Sequence, residues 1–160
     1  DEFGRPRPWS WVTSQNPNAQ EHTMSFTPYL NFGGNCREAF TAYQEIFGGE
    51  LSIVAMSDAP GAEPVPEGMA DLVMNAALKF ENHLLMASDV FDIDNFDAMQ
   101  YMYVNFTTTD LDLAERVFEA LADGGKVEMP MGETFWAPRF GVTVDRFGTP
   151  WMVNGEAAEE

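Results

Sequence analysis

Polar and apolar positions follow two alternating periods along the chain. Short apolar or alternating runs bounded by turn residues mark strands at Tyr29 to Phe32, Leu51 to Met56, Leu72 to Phe80 and His83 to Ala87, with Glu81-Asn82 as the turn between the last two. Between the first and second of these runs the period lengthens. Ala39, Phe40, Tyr43, Ile46 and Phe47 then fall on one face of a helix. Asn35 is expected to cap that helix, with Glu38 three positions on completing a capping box. Gly48-Gly49 is expected to end it, since glycine accepts the left-handed conformation found past helix C-termini.

The same order then returns. Tyr29-Leu-Asn31-Phe32 is matched by Tyr103-Val-Asn105-Phe106, 74 positions later, and Gly48-Gly49 by Gly124-Gly125, 76 positions later. In the second copy Thr109 or Asp110 is the expected cap, and Leu113, Ala114, Val117, Phe118 and Leu121 form the buried stripe. Strands are expected at Lys126 to Met129, Phe140 to Val144 and Pro150 to Asn154, with a tight turn from Asp145 to Gly148. An internal repeat of this size implies two copies of one supersecondary unit, each strand, helix, strand, strand, strand. The predicted class is α+β, a single domain over 24–160 made of tandem βαβββ modules at about 27–90 and 101–154. The Pro-rich stretch over 1–23 has neither period and reads as an arm or leader outside the fold, the alternative being that Trp9 and Trp11 dock on an apolar surface of the same or a neighbouring subunit.

Charge narrows the partners. Of 160 residues, 26 are Asp or Glu and 8 are Lys or Arg, a net charge of −18. Phosphate backbones and anionic membrane surfaces attract the opposite sign, so neither nucleic acid nor membrane is expected as a partner. No apolar run approaches the roughly 20 residues that span a bilayer. One cysteine, Cys36, cannot form an internal disulfide, which fits a reducing compartment, and a cytoplasmic location is expected.

Four stretches then point to a family. Pro28 to Phe32 with Gly34 to Ala39, Leu85 to Asp89, Glu133 to Trp136 with Arg139 to Gly141, and Asp145 to Asn154 resemble the PhnB-like branch of the vicinal oxygen chelate superfamily, which holds glyoxalases, bleomycin-resistance proteins and dioxygenases. That resemblance implies eight strands in a curved mixed sheet around an open cleft, in a homodimer. It also implies a divalent-metal site of His and Glu. Overlaying the pattern puts Pro28 and Tyr103 where the histidines would stand and Met86 and Met152, taken as repeat partners, where the glutamates would. Those side chains do not suit a hard metal. No cofactor is therefore predicted, with a divalent metal kept as the alternative. Relatives are often labelled methyltransferases, yet Gly33-Gly34 lacks the rest of a nucleotide-binding turn.

Other chemistry is sparse. His83 lies beside a hairpin turn and His22 in the arm. Cys36, near a helix N-terminus, has no histidine beside it to act as a base. Glu133, Trp136 and Arg139, in a loop from Pro130 to Pro138, are candidate ligand contacts: Trp136 to stack, Arg139 to hold an anion, Glu133 to orient an amine or hydroxyl. A structural alternative has Trp136 and Phe135 plugging the core while Glu133 pairs with Arg139. Asn31 and Asn105 read as buried amide pegs. Met86, Tyr103 and Met152 are expected to line a partly apolar pocket. The expected function is metal-independent binding of a small cationic or amphipathic ligand, the alternative a metal-dependent lyase, isomerase or dioxygenase.

Overall fold

The computed structural model describes residues 25–59 and 65–157. The expected arm, with Trp9, Trp11 and His22, lies outside them. The first module comprises β1 (Tyr29–Phe32), α1 (Cys36–Phe47), β2 (Glu50–Ala55), β3 (Val73–Phe80) and β4 (His83–Asp89). The second repeats it as β5 (Val104–Thr108), α2 (Leu111–Ala122), β6 (Lys126–Gly132), β7 (Arg139–Val144) and β8 (Pro150–Gly155). Both modules have the predicted order. The eight strands form two four-stranded mixed sheets, ordered β1-β4-β3-β2 and β5-β8-β7-β6. In each, the first strand runs parallel to the last and the remaining pairs are antiparallel.

Each sheet carries its helix on one face. On that face of the first sheet stand Leu30, Phe32, Ala76, Leu78, Leu85 and Ala87, packed with Ala39, Phe40 and Tyr43 of α1. The equivalent face of the second presents Trp151 and Val153 beside Ala114, Val117, Phe118 and Leu121 of α2. These residues make one continuous core. What joins the halves is α1, whose Phe47 ring lies 5.2 Å from Phe106 and 5.4 Å from Trp151 of the other module.

The twin glycines work alike in both copies. Gly48 and Gly124 take positive φ of 75° and 70° past their helices. A side chain on Gly49 would run into the carbonyl of Lys79, and one on Gly125 into that of Val144. So the first glycine turns the chain and the second lets it pass close to the neighbouring hairpin.

Helix capping differs between the copies. Asp110 caps α2 as expected, its Oδ1 accepting from the Leu113 amide at 3.0 Å. Asn35 makes no such bond. The α1 amides are taken instead by Asp89 at the end of β4, whose Oδ1 accepts from Gly34 (2.9 Å) and Cys36 (3.0 Å) while Oδ2 accepts from Val73 (2.8 Å). Ladder register makes Val153 the counterpart of Asp89 in the second module, so α2 has no such visitor and must supply its own cap.

Strand β6 also runs further than its pattern suggests, through Pro130 to Gly132. It is an edge strand, where proline's missing amide is tolerated, and its ladder is irregular on both sides of Met129.

Candidate functional site

Strand parity separates two kinds of surface. Residues on the helix face are core, and their alternates lie on the bare face of each sheet. On the bare face of the first sheet stand Tyr29 and Asn31 of β1 with Met86 and Ser88 of β4, since Tyr29 pairs Met86 and Asn31 pairs Ser88. On the second stand Asn105 and Thr107 of β5 with Met152 and Asn154 of β8. Met86 and Met152 thus both stand on the bare faces, each half-buried. They are not strict repeat partners. Met152 lies beside Asn105, the counterpart of Asn31, so its own counterpart is Ser88, one pleat along from Met86. Asn31 and Asn105 are exposed rather than buried pegs, and the Asn105 amide donates to Thr107 Oγ1 at 3.0 Å.

Tyr103 stands at the foot of β5, 40% exposed. Its hydroxyl donates to Glu128 Oε2 at 3.2 Å, tying together strands from opposite edges of the sheet. The Glu128 charge, and then that hydrogen bond, raise the phenol above its ordinary pKa.

The loop after β6 is tight. The Thr134 amide donates to the Ala137 carbonyl at 2.9 Å and the Ala137 amide to Thr134 Oγ1 at 3.1 Å, which pushes the intervening rings outward. Phe135 is 96% exposed and Trp136 52% exposed, so neither plugs the core. Trp136 packs edge-on against Phe140, with ring centroids 5.3 Å apart. Glu133 is exposed beside them. Arg139 departs from this group. Being one residue before Phe140 it faces the helix side, where Nε donates to Glu115 Oε1 of α2 at 2.6 Å. The fold therefore keeps Trp136 and Glu133 together and separates Arg139 from both.

Cys36 is fully buried, and burial followed by the neighbouring Asp89 charge pushes its thiol up to about 12. The Asp89 carboxylate fills the helix N-terminus that would otherwise favour a thiolate, and the same contact takes the Gly34 amide. Gly33-Gly34 is thus an internal carboxylate site. A side chain on Gly33 would meet the Phe96 ring.

The motif from Asp145 to Asn154 turns out to be a buried polar hub. Asp145 Oδ1 accepts from the amides of Phe147 and Thr149, both at 2.9 Å, while Oδ2 accepts from Trp151 Nε1 at 2.9 Å and from the Tyr43 hydroxyl at 2.6 Å. Thr149 Oγ1 lies 2.8 Å from that hydroxyl. Burial, then the Asp145 charge, raise the Tyr43 phenol far above its usual value. This hub links the modules, a role missed in the sequence because Tyr43 reads there only as one more apolar helix position.

Among the described residues, no group of three or more His, Cys, Asp and Glu side chains is placed to hold a metal ion. The positions that the chelate pattern assigns to ligands carry Pro28, Met86, Tyr103 and Met152, whose donors do not fit a hard divalent metal.

Tandem βαβββ modules with parallel outer strands define the glyoxalase-like, vicinal oxygen chelate class. At the fold level the chain is similar to glyoxalase I of Zea mays, at 18% identity and a TM-score of 0.52 over 82% of this chain and 44% of that one. It belongs to the family whose profile is described as 3-demethylubiquinone-9 3-methyltransferase, which matches residues 24–154. It is 36% identical to protein YjdN of Escherichia coli, over 82% of this chain and 95% of that protein. Among solved structures it resembles protein PA1353 of Pseudomonas aeruginosa, at 42% identity and a TM-score of 0.75 over 85% of this chain and all of the other. It also resembles a PhnB protein of Bacillus cereus, a putative 3-demethylubiquinone-9 3-methyltransferase, at 26% identity and 0.67 over 82% of this chain and 98% of that one. Among the described residues no helix is long and apolar enough to cross a membrane.

Proposed function

We propose that this protein binds a small cationic or amphipathic molecule on the bare faces of its sheets, without a metal, as a homodimer in the cytoplasm. The observation that carries this reading is the make-up of those faces. Tyr103 and Met152 stand where the resemblance would put an imidazole and a carboxylate, and Ser88 is the counterpart of Met152 in the first module. With Met86 one pleat along, Tyr103 and Met152 make an adaptable apolar lining in place of a hard-metal site. Trp136, half exposed on a stiff loop, adds a ring for stacking, and the carboxylates of Glu133 and Glu128 supply the sign that suits a cation.

Methyl transfer receives no support from the one glycine turn before a helix, since its amide is already engaged by Asp89. The homodimer is supported by apolar side chains left open on or beside the bare faces, including Tyr29, Met102, Met129 and Trp136.

Elemental analysis of protein purified without chelators tests the metal half of the reading: substoichiometric metal is expected, and one zinc, nickel, manganese or iron per chain would overturn it. Thermal-shift screening against cationic and aromatic amphiphiles tests the ligand half. Hits lost in Met86→Glu and Trp136→Ser support it, and a blank screen removes it. Light scattering should give twice the chain mass.

A further inference from the structure

At the seam between the modules lies a crevice of about 430 Å³. That size lies within the roughly 300–1,000 Å³ typical of small-molecule sites. Its walls come from both halves of the chain: Phe47, Phe80 and Leu85 on one side, Val104, Phe106 and Trp151 on the other. All six stand on α1 or on helix-facing strand positions, across the sheets from Met86 and Met152, and bare-face residues such as Asn105 and Thr107 of the edge strand β5 join them only at the mouth.

The rings pack on one another and line the wall as a continuous aromatic surface. Phe47 and Phe80 lie nearly parallel, with centroids 6.0 Å apart and an angle of 15° between planes. Phe106 leans on Phe47 at 5.2 Å, and the exposed His83 ring lies 5.4 Å from Phe80 at the rim. Asn82, Asn105 and Thr107 add amides and a hydroxyl around the mouth. Among the described residues no Lys or Arg lines the crevice, and where the seam continues past Phe80 it meets Glu50 and Glu81 with one lysine, Lys79. Anions are therefore disfavoured twice, by the missing cation and by the −18 of the whole chain.

We propose that this seam is a second binding site, for a flat, uncharged or cationic aromatic molecule of one or two rings. The aromatic wall supplies contact for a ring, the amides and hydroxyl at the mouth orient a hydrogen-bonding substituent, and the nearby carboxylates select against negative charge.

Three bicyclic aromatic probes of different charge test it by NMR titration of the full chain: quinoline, N-methylquinolinium and naphthalene-2-sulfonate. The first two should shift the His83 ring and the Leu85 methyls saturably, with a Kd on the order of 0.1–1 mM for so small a ligand. Met86 and Met152 methyls should stay still, and the sulfonate should bind at least about tenfold more weakly. Phe80→Leu removes one wall, and Thr107→Trp narrows the mouth from an exposed position without touching the core. Each should weaken quinoline at least about fivefold, and the second keeps the test decisive if the first fails to fold.

Equal binding of the sulfonate, shifts confined to Met86 and Met152, or binding unchanged in Thr107→Trp would overturn the seam site. Shifts at Met86 and Met152 alone would do so while leaving the bare-face reading intact. Binding that appears only after residues 1–23 are removed would give the seam to that segment and overturn the proposal for the full chain.

Discussion

Asp89 holds three backbone amides at once, one from the turn before α1, one from its first residue and one from the start of β3. It is 4% exposed, so little water stands ready to replace it. Asp89→Ala strands three donors, and a cost of about 2–4 kcal/mol is expected in urea unfolding. Asn35→Ala, at the residue with the better cap signature in the sequence, should stay within about 0.5 kcal/mol because its side chain caps nothing. The reverse ranking would mean that Asn35 is the true cap. Cys36 follows from the same contact. With its thiol raised from 9.0 to about 12, a thiol reagent at pH 8 should leave the folded chain untouched and modify it fully in denaturant. The folded state holds this proton while the unfolded state has lost it, so the group's stabilising effect is complete below pH 9.0 and falls away up to about 12. The limiting slope is about 1.4 kcal/mol per pH unit. Cys36→Ala should flatten the stability curve there.

Among the elements, α1 is the one that belongs to both modules. Its Tyr43 meets Phe40 on its own helix and Phe147 and Trp151 across the seam, and its hydroxyl ends on Asp145. Tyr43→Phe leaves the rings in place and Asp145 with its other donors, so a loss of about 1–2 kcal/mol is expected, with the modules still unfolding in one transition. Two resolved transitions would show that this hub alone couples them. The Tyr43 phenol is held protonated, so the variant should also lose part of the alkaline destabilisation beginning near pH 10.

Elements were the most legible level of the sequence. Both helices and all eight strands follow from periodicity and paired glycines, because those signals are local. What escaped depends on partners distant in the chain: Asp89 arriving at Cys36 from 53 positions away, Tyr43 reaching Asp145 across 102, and Arg139 turning to Glu115. The same limit applies to the candidate site. Which face Met86 and Met152 occupy, and their offset by one pleat, both required the ladder, since a slip of one residue exchanges the two faces of a strand.

At the scale of the molecule the balance is electrostatic. The chain carries −18, and neither helix has a basic residue in its last turn to meet the partial negative charge there. Among the described residues the one ion pair is Arg139 with Glu115, both about 40% exposed. Such a pair contributes at most about 1 kcal/mol, and salt weakens it. Repulsion among the surplus carboxylates is spread over the whole surface and acts through water, so salt screens it as well. Raising KCl from about 0.01 to 0.5 M shortens the screening length from about 30 to about 4 Å, less than the spacing of most surface charges. The repulsion involves many charges and the pair only two, so its loss should dominate. The Tm is therefore expected to rise with KCl by several degrees, as followed by circular dichroism. Association of two copies of this acidic chain should strengthen over the same range, since it brings like charges together. A Tm that falls with salt would mean that specific ion pairs outweigh the net charge, and a flat one that the two cancel.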